Sequence, residues 1–173
     1  LQCSGQSSKA ADAFVSIGNK LGSHDATVHL AIESYSRAIR IKRDAGERDS
    51  VAPLFLPLIR FWKNPVLNEA SFGLSRQAFD MRRIEDTMSA ARHQSLINEV
   101  ETAKALSMEA IDLAMAAQAQ SWALQPEAKI SLATSIAESY HLQAFRLALE
   151  AKDFSRAKSL TSTALQLDHL NSE

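Results

Sequence analysis

The sequence is poor in cysteine, glycine and proline. Its 173 residues include one cysteine, five glycines and four prolines. A single cysteine excludes an internal disulfide and a zinc site built from several thiolates. Few glycines and prolines leave little to interrupt a helix, and apolar residues never alternate over a long run as they would in a half-buried strand. An all-β or α/β fold therefore has little support.

The chain also lacks long apolar runs and a strong net charge. It contains no run of about 18 apolar residues, so we expect no segment to span a bilayer. The formal net charge is −1, so no overall field attracts nucleic acid, and we expect no nucleic-acid partner. A basic stretch from Arg37 to Arg48 is interpreted as a solvated helix surface, with an electrostatically steered partner site as the alternative.

Sequence patterns that carry catalysis or metal binding are absent as well. The chain has no glycine-rich phosphate loop, no nucleophile elbow and no pair of histidines at the helical spacing that binds metals. We therefore predict a non-enzymatic protein that uses no metal and no cofactor.

Alanine, in contrast, is abundant, with 28 copies. Three times an alanine recurs after seven residues and is followed by an Ile or Leu pair: Ala31 and Ala38, Ala103 and Ala110, Ala157 and Ala164. Seven residues are two helical turns, so both alanines share one face, where a neighbouring helix can approach closely.

With the helical spacing of the other apolar residues, these alanine pairs predict an all-α fold. We expect an array of about seven antiparallel helices. Their predicted ranges are 9–22, 26–44, 50–63, 68–92, 94–120, 127–151 and 153–168. Residues 1–8 are expected to form a flexible lead, and residues 9–173 a single domain.

Two of the predicted hairpins resemble the tetratricopeptide repeat. The first matches at its large and small positions: Phe14, Ile17, Gly18 and Leu21, then Ala31, Tyr35 and Ala38. The last, from Tyr140 to Leu167, can be placed in the same way, whereas residues 45–100 depart from the pattern and the copies do not follow the family's period of 34. The resemblance implies right-handed stacking of helical hairpins, and the alternative is an irregular helical bundle.

Gly18 occupies the position where the two helices of such a hairpin touch. We expect Gly18→Leu to overpack this crossing and to destabilise the fold. From helix propensity alone, Gly18→Ala is expected to be mild or even stabilising.

Repeats of this family bind other proteins in a groove lined by their first helices. The resemblance therefore implies a scaffold for a peptide or amphipathic helix of another protein, with Asn19, His141 and Phe145 as groove residues. Trp62 is either a core side chain or a binding hot spot. The alternative function is a pocket for a small apolar ligand, lined by residues such as Phe72, Phe79 and Met81.

Cys3 precedes a short tether rich in Ser, Gly and Gln, which resembles the mature end of a bacterial lipoprotein. This resemblance implies lipid attachment at Cys3 and a role at the bacterial envelope, for example in an assembly or secretion complex. The alternative is an incidental surface cysteine in a cytoplasmic or periplasmic protein, because Gln2 is a poor fit to the cleavage site.

Overall fold

The computed structural model of the chain describes residues 2–97, 99–124, 136–137, 141–142, 152 and 154–169. About 85% of the residues are helical, and no strand occurs in the described ranges, which confirms the all-α prediction. The helices are α1 (Gln2–Leu21), α2 (Val28–Asp44), α3 (Arg48–Trp62), α4 (Glu69–Phe72), α5 (Arg76–Leu96), α6 (Val100–Gln118) and α7 (Phe154–His169). The predicted helix 127–151 falls mostly outside the described residues.

The chain forms two compact units, which we call unit 1 (Leu1–Leu74) and unit 2 (Ser75–Glu173). In unit 1, α1 packs on α2 and α2 packs on α3, and in unit 2, α5 packs on α6. The single domain expected over 9–173 and the right-handed stacking of hairpins stay predictions.

The first helix differs from its prediction at its start and on its buried face. It begins at Gln2, so residues 2–8, expected as a flexible lead, belong to α1. Its inner face contains Ala11 and Gly18, again seven residues apart and both buried. Ile17, expected in the core, lies about 100° around the helix from Gly18 and is 45% exposed.

Gly18 provides the space in which the ring of Tyr35 lies. A Cβ atom at residue 18 would sit 2.7 and 2.8 Å from Cδ2 and Cε2 of that ring, and 3.5 Å from the carbonyl of Ala31. The Tyr35 hydroxyl donates a hydrogen bond to Oδ1 of Asn19 (2.7 Å), and its ring packs against Phe61 at 5.6 Å. The close crossing at Gly18 is therefore present, but it leaves no room for even a methyl group.

Helix α2 ends as its glycine predicts. Gly46 has a φ of +77°, its N–H donates to the carbonyl of Arg43 (3.0 Å), and the N–H of Glu47 donates to the carbonyl of Lys42 (2.9 Å). These two bonds form a Schellman motif. The turn places Glu47, the N-cap residue of α3, beside the last turn of α2.

The side chain of Lys42 is buried at this turn and connects three helices. Its Nζ lies 3.1 Å from Oδ1 of Asp12 on α1 and 3.5 Å from Oε2 of Glu47 at the start of α3, and only 8% of the side chain is exposed. Burial by itself would lower the pKa of Lys42, but the hydrogen bonds and negative charges of Asp12 and Glu47 outweigh it and raise this pKa above its ordinary value. Lys42 is therefore a charged member of the core of unit 1.

Helices α3 and α4 show where the predicted breaks were misplaced. Pro53 and Pro57 both lie inside α3, which begins at Arg48, two residues before the start predicted at residue 50. The helix predicted over 68–92 is instead interrupted at Gly73, which has a φ of +63°. Helix α5 then starts with Ser75 as its N-cap, whose Oγ accepts a hydrogen bond from the N–H of Ala78 (3.2 Å).

The alanine pairs lie on buried faces, as predicted. All six have exposures of 6% or less: Ala31, Ala38, Ala103, Ala110, Ala157 and Ala164. Of the Ile and Leu residues that follow these alanines, Leu165 is 49% exposed. In unit 2 the core is built from residues of both α5 and α6, together with Ala123 and Ile136: Ile84, Met88, Ala110, Ala114 and Ala117.

Candidate functional site

Asn19 is exposed on α1, as a groove residue would be. Its Oδ1 is engaged by the hydroxyl of Tyr35, a side chain that is 2% exposed. The Nδ2 amide group of Asn19 is the donor that this side chain would offer to a partner. Replacing Asn19 by Ala would also leave the Tyr35 hydroxyl without this acceptor, whereas Asp keeps an acceptor oxygen and removes only the amide donor.

Trp62 belongs to the core and not to an exposed binding surface. It is 2% exposed, and its ring stacks on Phe72 with the centroids 5.2 Å apart and an angle of 23° between the planes. Phe72 is in turn met edge-on by the ring of His29 at 6.0 Å. Of the two interpretations of Trp62, the core side chain agrees with this burial, so Trp62 is removed from the candidate partner-binding residues.

The remaining predicted site residues are placed only in part. His141 is half-buried, and Phe145 lies outside the described residues. Cys3 falls in the first turn of α1 and not in an extended tether, and its side chain lies outside the described part of the chain. Their roles in partner binding and lipid attachment stay predictions.

Two methionines of α6 in unit 2 are exposed to solvent. Met108 and Met115 are 44% and 56% exposed, and because they are seven residues apart they lie one above the other. Ala105 and Ala116 are also exposed on this helix, with Asp112 between the two methionines. We call Met108 and Met115 the methionine stripe.

The methionine stripe was missed in the sequence, although a signal for it was present. The buried face of α6 includes Ala103, Ala110 and Ala114. Met108 and Met115 do not share this seven-residue register, and Met115 follows Ala114 directly, about 100° around the helix. Methionines outside the alanine register were therefore candidates for an exposed apolar face.

A cavity of about 120 Å³ lies between α5 and α6 in unit 2. It is lined by charged and polar residues as well as apolar ones: Arg76, Asp80, Arg83, Ile84, Leu113, Ala116, Ala117 and Gln120. The residues expected to line an apolar pocket are used elsewhere, since Phe72 stacks on Trp62, Phe79 is 4% exposed and Met81 packs against the core of unit 2.

Among the residues that the structure describes, no three His, Cys, Asp or Glu side chains are grouped so that they could hold a metal ion. No helix in that part is long and apolar enough to cross a membrane. Compared with known proteins, the chain matches no protein-family model, no curated protein and no solved structure.

Proposed function

We propose that the chain is a non-enzymatic helical scaffold that binds another protein, with hairpins that stack as in tetratricopeptide repeats. The observation that supports this proposal best is the methionine stripe on α6. Methionine is flexible and polarisable, so exposed methionines adapt to apolar surfaces of different shapes. The occupant we propose is the apolar face of an amphipathic helix of the partner.

The fit of Gly18 against Tyr35 supports the repeat-like part of the proposal. In a stacked array, one helix of each hairpin must lie close to the next, which requires small residues at the crossings. Ala31 and Ala38 on α2 are both fully buried, and Ala31 lies beside Gly18. Asn19, His141 and Phe145 stay part of the proposal as a second contact region.

The proposal is tested by a photo-crosslinking residue placed at Met115 in the cell that naturally makes the protein. The crosslinked partner is identified, produced separately, and its affinity for the chain is measured. Burying two half-exposed methionines is worth roughly 2 kcal/mol in total. We therefore expect the double variant Met108→Ser/Met115→Ser to bind about 30-fold more weakly with an unchanged melting temperature.

Leu56 on α3 provides a matched control. It is 43% exposed, against 44% for Met108, so Leu56→Ser removes a similarly exposed apolar side chain from another helix. This control should bind the partner normally. Equal losses in the two variants would show that general surface hydrophobicity, and not the methionine stripe, holds the partner.

Two other outcomes would move the site. If affinity falls instead with Asn19→Asp, His141→Ala and Phe145→Ala, the contact is the predicted groove, because Asn19→Asp preserves the acceptor for Tyr35. If affinity falls steeply with salt and follows Arg37→Gln and Arg40→Gln, the contact is the basic surface of α2. If a crosslinking residue captures no partner at Met115, at the predicted groove residues or on the basic surface of α2, the scaffold proposal is refuted.

The cellular location is part of the same proposal. We propose attachment of lipid at Cys3 and a place in a bacterial envelope complex, on the basis of the residues that follow this cysteine. The mass of the protein isolated from its natural host decides the matter, since lipidation adds the mass of the acyl groups to the peptide that contains Cys3. A peptide with an unmodified thiol would refute this part.

A further inference from the structure

The cavity between α5 and α6 is lined by both charged and apolar side chains, the composition expected of a site for an organic anion. Arg76, Asp80 and Arg83 are spaced by four and three residues on α5, so they share one face of that helix. Ile84, Leu113, Ala116 and Ala117 supply the apolar part of the lining. The cavity is open because the α6 residues that line it include two alanines, Ala116 and Ala117, and larger side chains at these positions would fill it.

Asp80 is committed to neighbours in the same unit. Its Oδ2 accepts hydrogen bonds from Nε of Arg76 (2.9 Å) and from Nε1 of Trp122 (3.2 Å), and only 13% of the Asp80 side chain is exposed. Arg76 also lies over the ring of Phe79, 5.8 Å from its centroid. Arg76 and Asp80 therefore form an ion pair, whose position is fixed by the indole N–H of Trp122 and by the ring of Phe79.

Arg83 leaves the cavity with an excess of positive charge. Within the described part of the chain, the Arg83 guanidinium and the Gln120 side-chain amide have no ion-pair or hydrogen-bond partner. Two arginines and one aspartate give a net charge of about +1 in the lining, because an arginine in a protein is always protonated. The lining thus combines a planar donor group and an amide with apolar side chains.

We propose that this cavity binds a monovalent carboxylate on a short aliphatic stem. The planar guanidinium of Arg83 matches the two oxygens of a carboxylate, and the amide of Gln120 adds a further donor. The volume corresponds to roughly four groups of the size of a water molecule, which suits a stem of three or four carbons. Asp80 would repel a second negative charge, so a monoanion is preferred over a phosphate dianion.

This site is independent of the proposed partner binding by the methionine stripe, because it is tested with small molecules alone. The probe is sodium butyrate, titrated at constant ionic strength while the indole N–H signals of the two tryptophans are followed by NMR. Trp122 donates to Asp80 at the cavity wall, whereas Trp62 belongs to unit 1. We expect a saturable shift of the Trp122 signal in the millimolar range and no shift for Trp62.

Two pairs of variants test the residues. Arg83→Gln should weaken butyrate binding about tenfold, since it removes a charge-assisted hydrogen bond, and Arg82→Gln, one residue earlier and outside the lining, should not. Ala116→Leu should fill the cavity and abolish the shift while all the polar groups remain. Ala105→Leu, at an exposed position of the same helix, is its control for folding and affinity.

Further ligands test whether the cavity requires a carboxylate and whether that carboxylate comes from a protein or from a free small molecule. Butyramide has the same shape without the charge and should bind at least tenfold more weakly, and inorganic phosphate should also bind more weakly than butyrate. A blocked tripeptide with a central glutamate carries the same group on a protein chain. Tighter binding of the peptide would support the site and assign its carboxylate to a partner protein, whereas tighter binding of butyrate would assign it to a free metabolite.

Several results would overturn the proposal. The Trp122 signal could fail to saturate with butyrate, or butyramide could match butyrate. Equal losses in Arg82→Gln and Arg83→Gln would reduce the effect to general attraction by basic residues of α5. Tighter binding of phosphate than of butyrate would contradict the role assigned to Asp80.

Discussion

Gly18→Ala tests whether close packing or helix propensity dominates in α1. In a helix interior, alanine is favoured over glycine by about 1 kcal/mol. The new methyl group, however, would overlap two atoms of the Tyr35 ring at 2.7 and 2.8 Å, where carbon atoms prefer about 3.5–4.0 Å. The ring has little freedom to move, because its hydroxyl bonds to Asn19 and the ring packs against Phe61.

Overpacking of this kind costs about 1–3 kcal/mol, which exceeds the gain in propensity. We therefore expect Gly18→Ala to destabilise unit 1 by about 1 kcal/mol net, or about 4–8 °C in melting temperature for a unit of this size. This reverses the mild effect expected from the sequence. The assay is thermal and urea unfolding followed by Trp62 fluorescence in a Trp122→Phe background, so that unit 1 is observed alone.

A double-mutant cycle with Tyr35→Leu separates the two contributions. When the smaller side chain removes the overlap, Gly18→Ala should stabilise by up to about 1 kcal/mol. Ala13→Gly, at an exposed position of the same helix, measures the propensity term directly. A Gly18→Ala variant that is more stable than the parent, and that shows no coupling to Tyr35, would refute the close contact.

Three further predictions concern other residues of unit 1. First, burial raises the pKa of the Tyr35 phenol, as carboxylates raise that of Lys42; both pKa values lie above those of the unfolded chain. Their stabilising effect is therefore complete below the unfolded values of 10.0 and 10.5. This stabilisation is lost as the pH rises from the unfolded pKa values through the pKa values of the folded protein. The midpoint of urea unfolding should therefore fall as the pH is raised above about 10, and it should fall less in Lys42→Met, which lacks one of the two groups. Second, Trp62→Ala should cost about 3–5 kcal/mol by urea unfolding, because it empties a core position; a change near zero would contradict its burial. Third, Gly46→Ala should cost about 1–2 kcal/mol from backbone strain alone, since a Cβ there meets no atom within 4 Å, and Gly46→Asn should recover part of the loss.

The features that depend on local periodicity could be predicted from the sequence. The alanine pairs and the helix end at Gly46 each depend on residues within two turns of one another, and the structure has both. The crossing at Gly18 joins two helices and was predicted from the pattern of small and large residues in the repeat; the structure has it as well. The break at Gly73 was missed because the apolar spacing continues across it. The capping residues Asn68 and Ser75, both of which accept a backbone hydrogen bond at a helix start, were the available signal.

The sequence was a poorer guide to which face of each helix is buried and to contacts between distant segments. Ile17 matches a large apolar position of the repeat pattern, but Ala11 and Gly18 lie on the buried face of α1 and Ile17 is 45% exposed. Trp62 is buried because Phe72 returns to cover it after the turn at Asn64 and Pro65, a contact that no local spacing encodes. The cavity depends on Arg83 of α5 and on Gln120, which follows the end of α6, and the proximity of these two side chains becomes visible only in three dimensions.

The position of Lys42 bears on how unit 1 opens to solvent. Its ammonium group lies between one carboxylate on α1 and another at the start of α3, so separation of either helix from α2 removes one of the two ion-pair partners of this buried lysine. Backbone amides of α1, α2 and α3 should therefore exchange their hydrogens as one cooperative block with a shared opening free energy. In Lys42→Met this link is absent, and α1 should open first, which would make its amides exchange faster than those of α2 and α3.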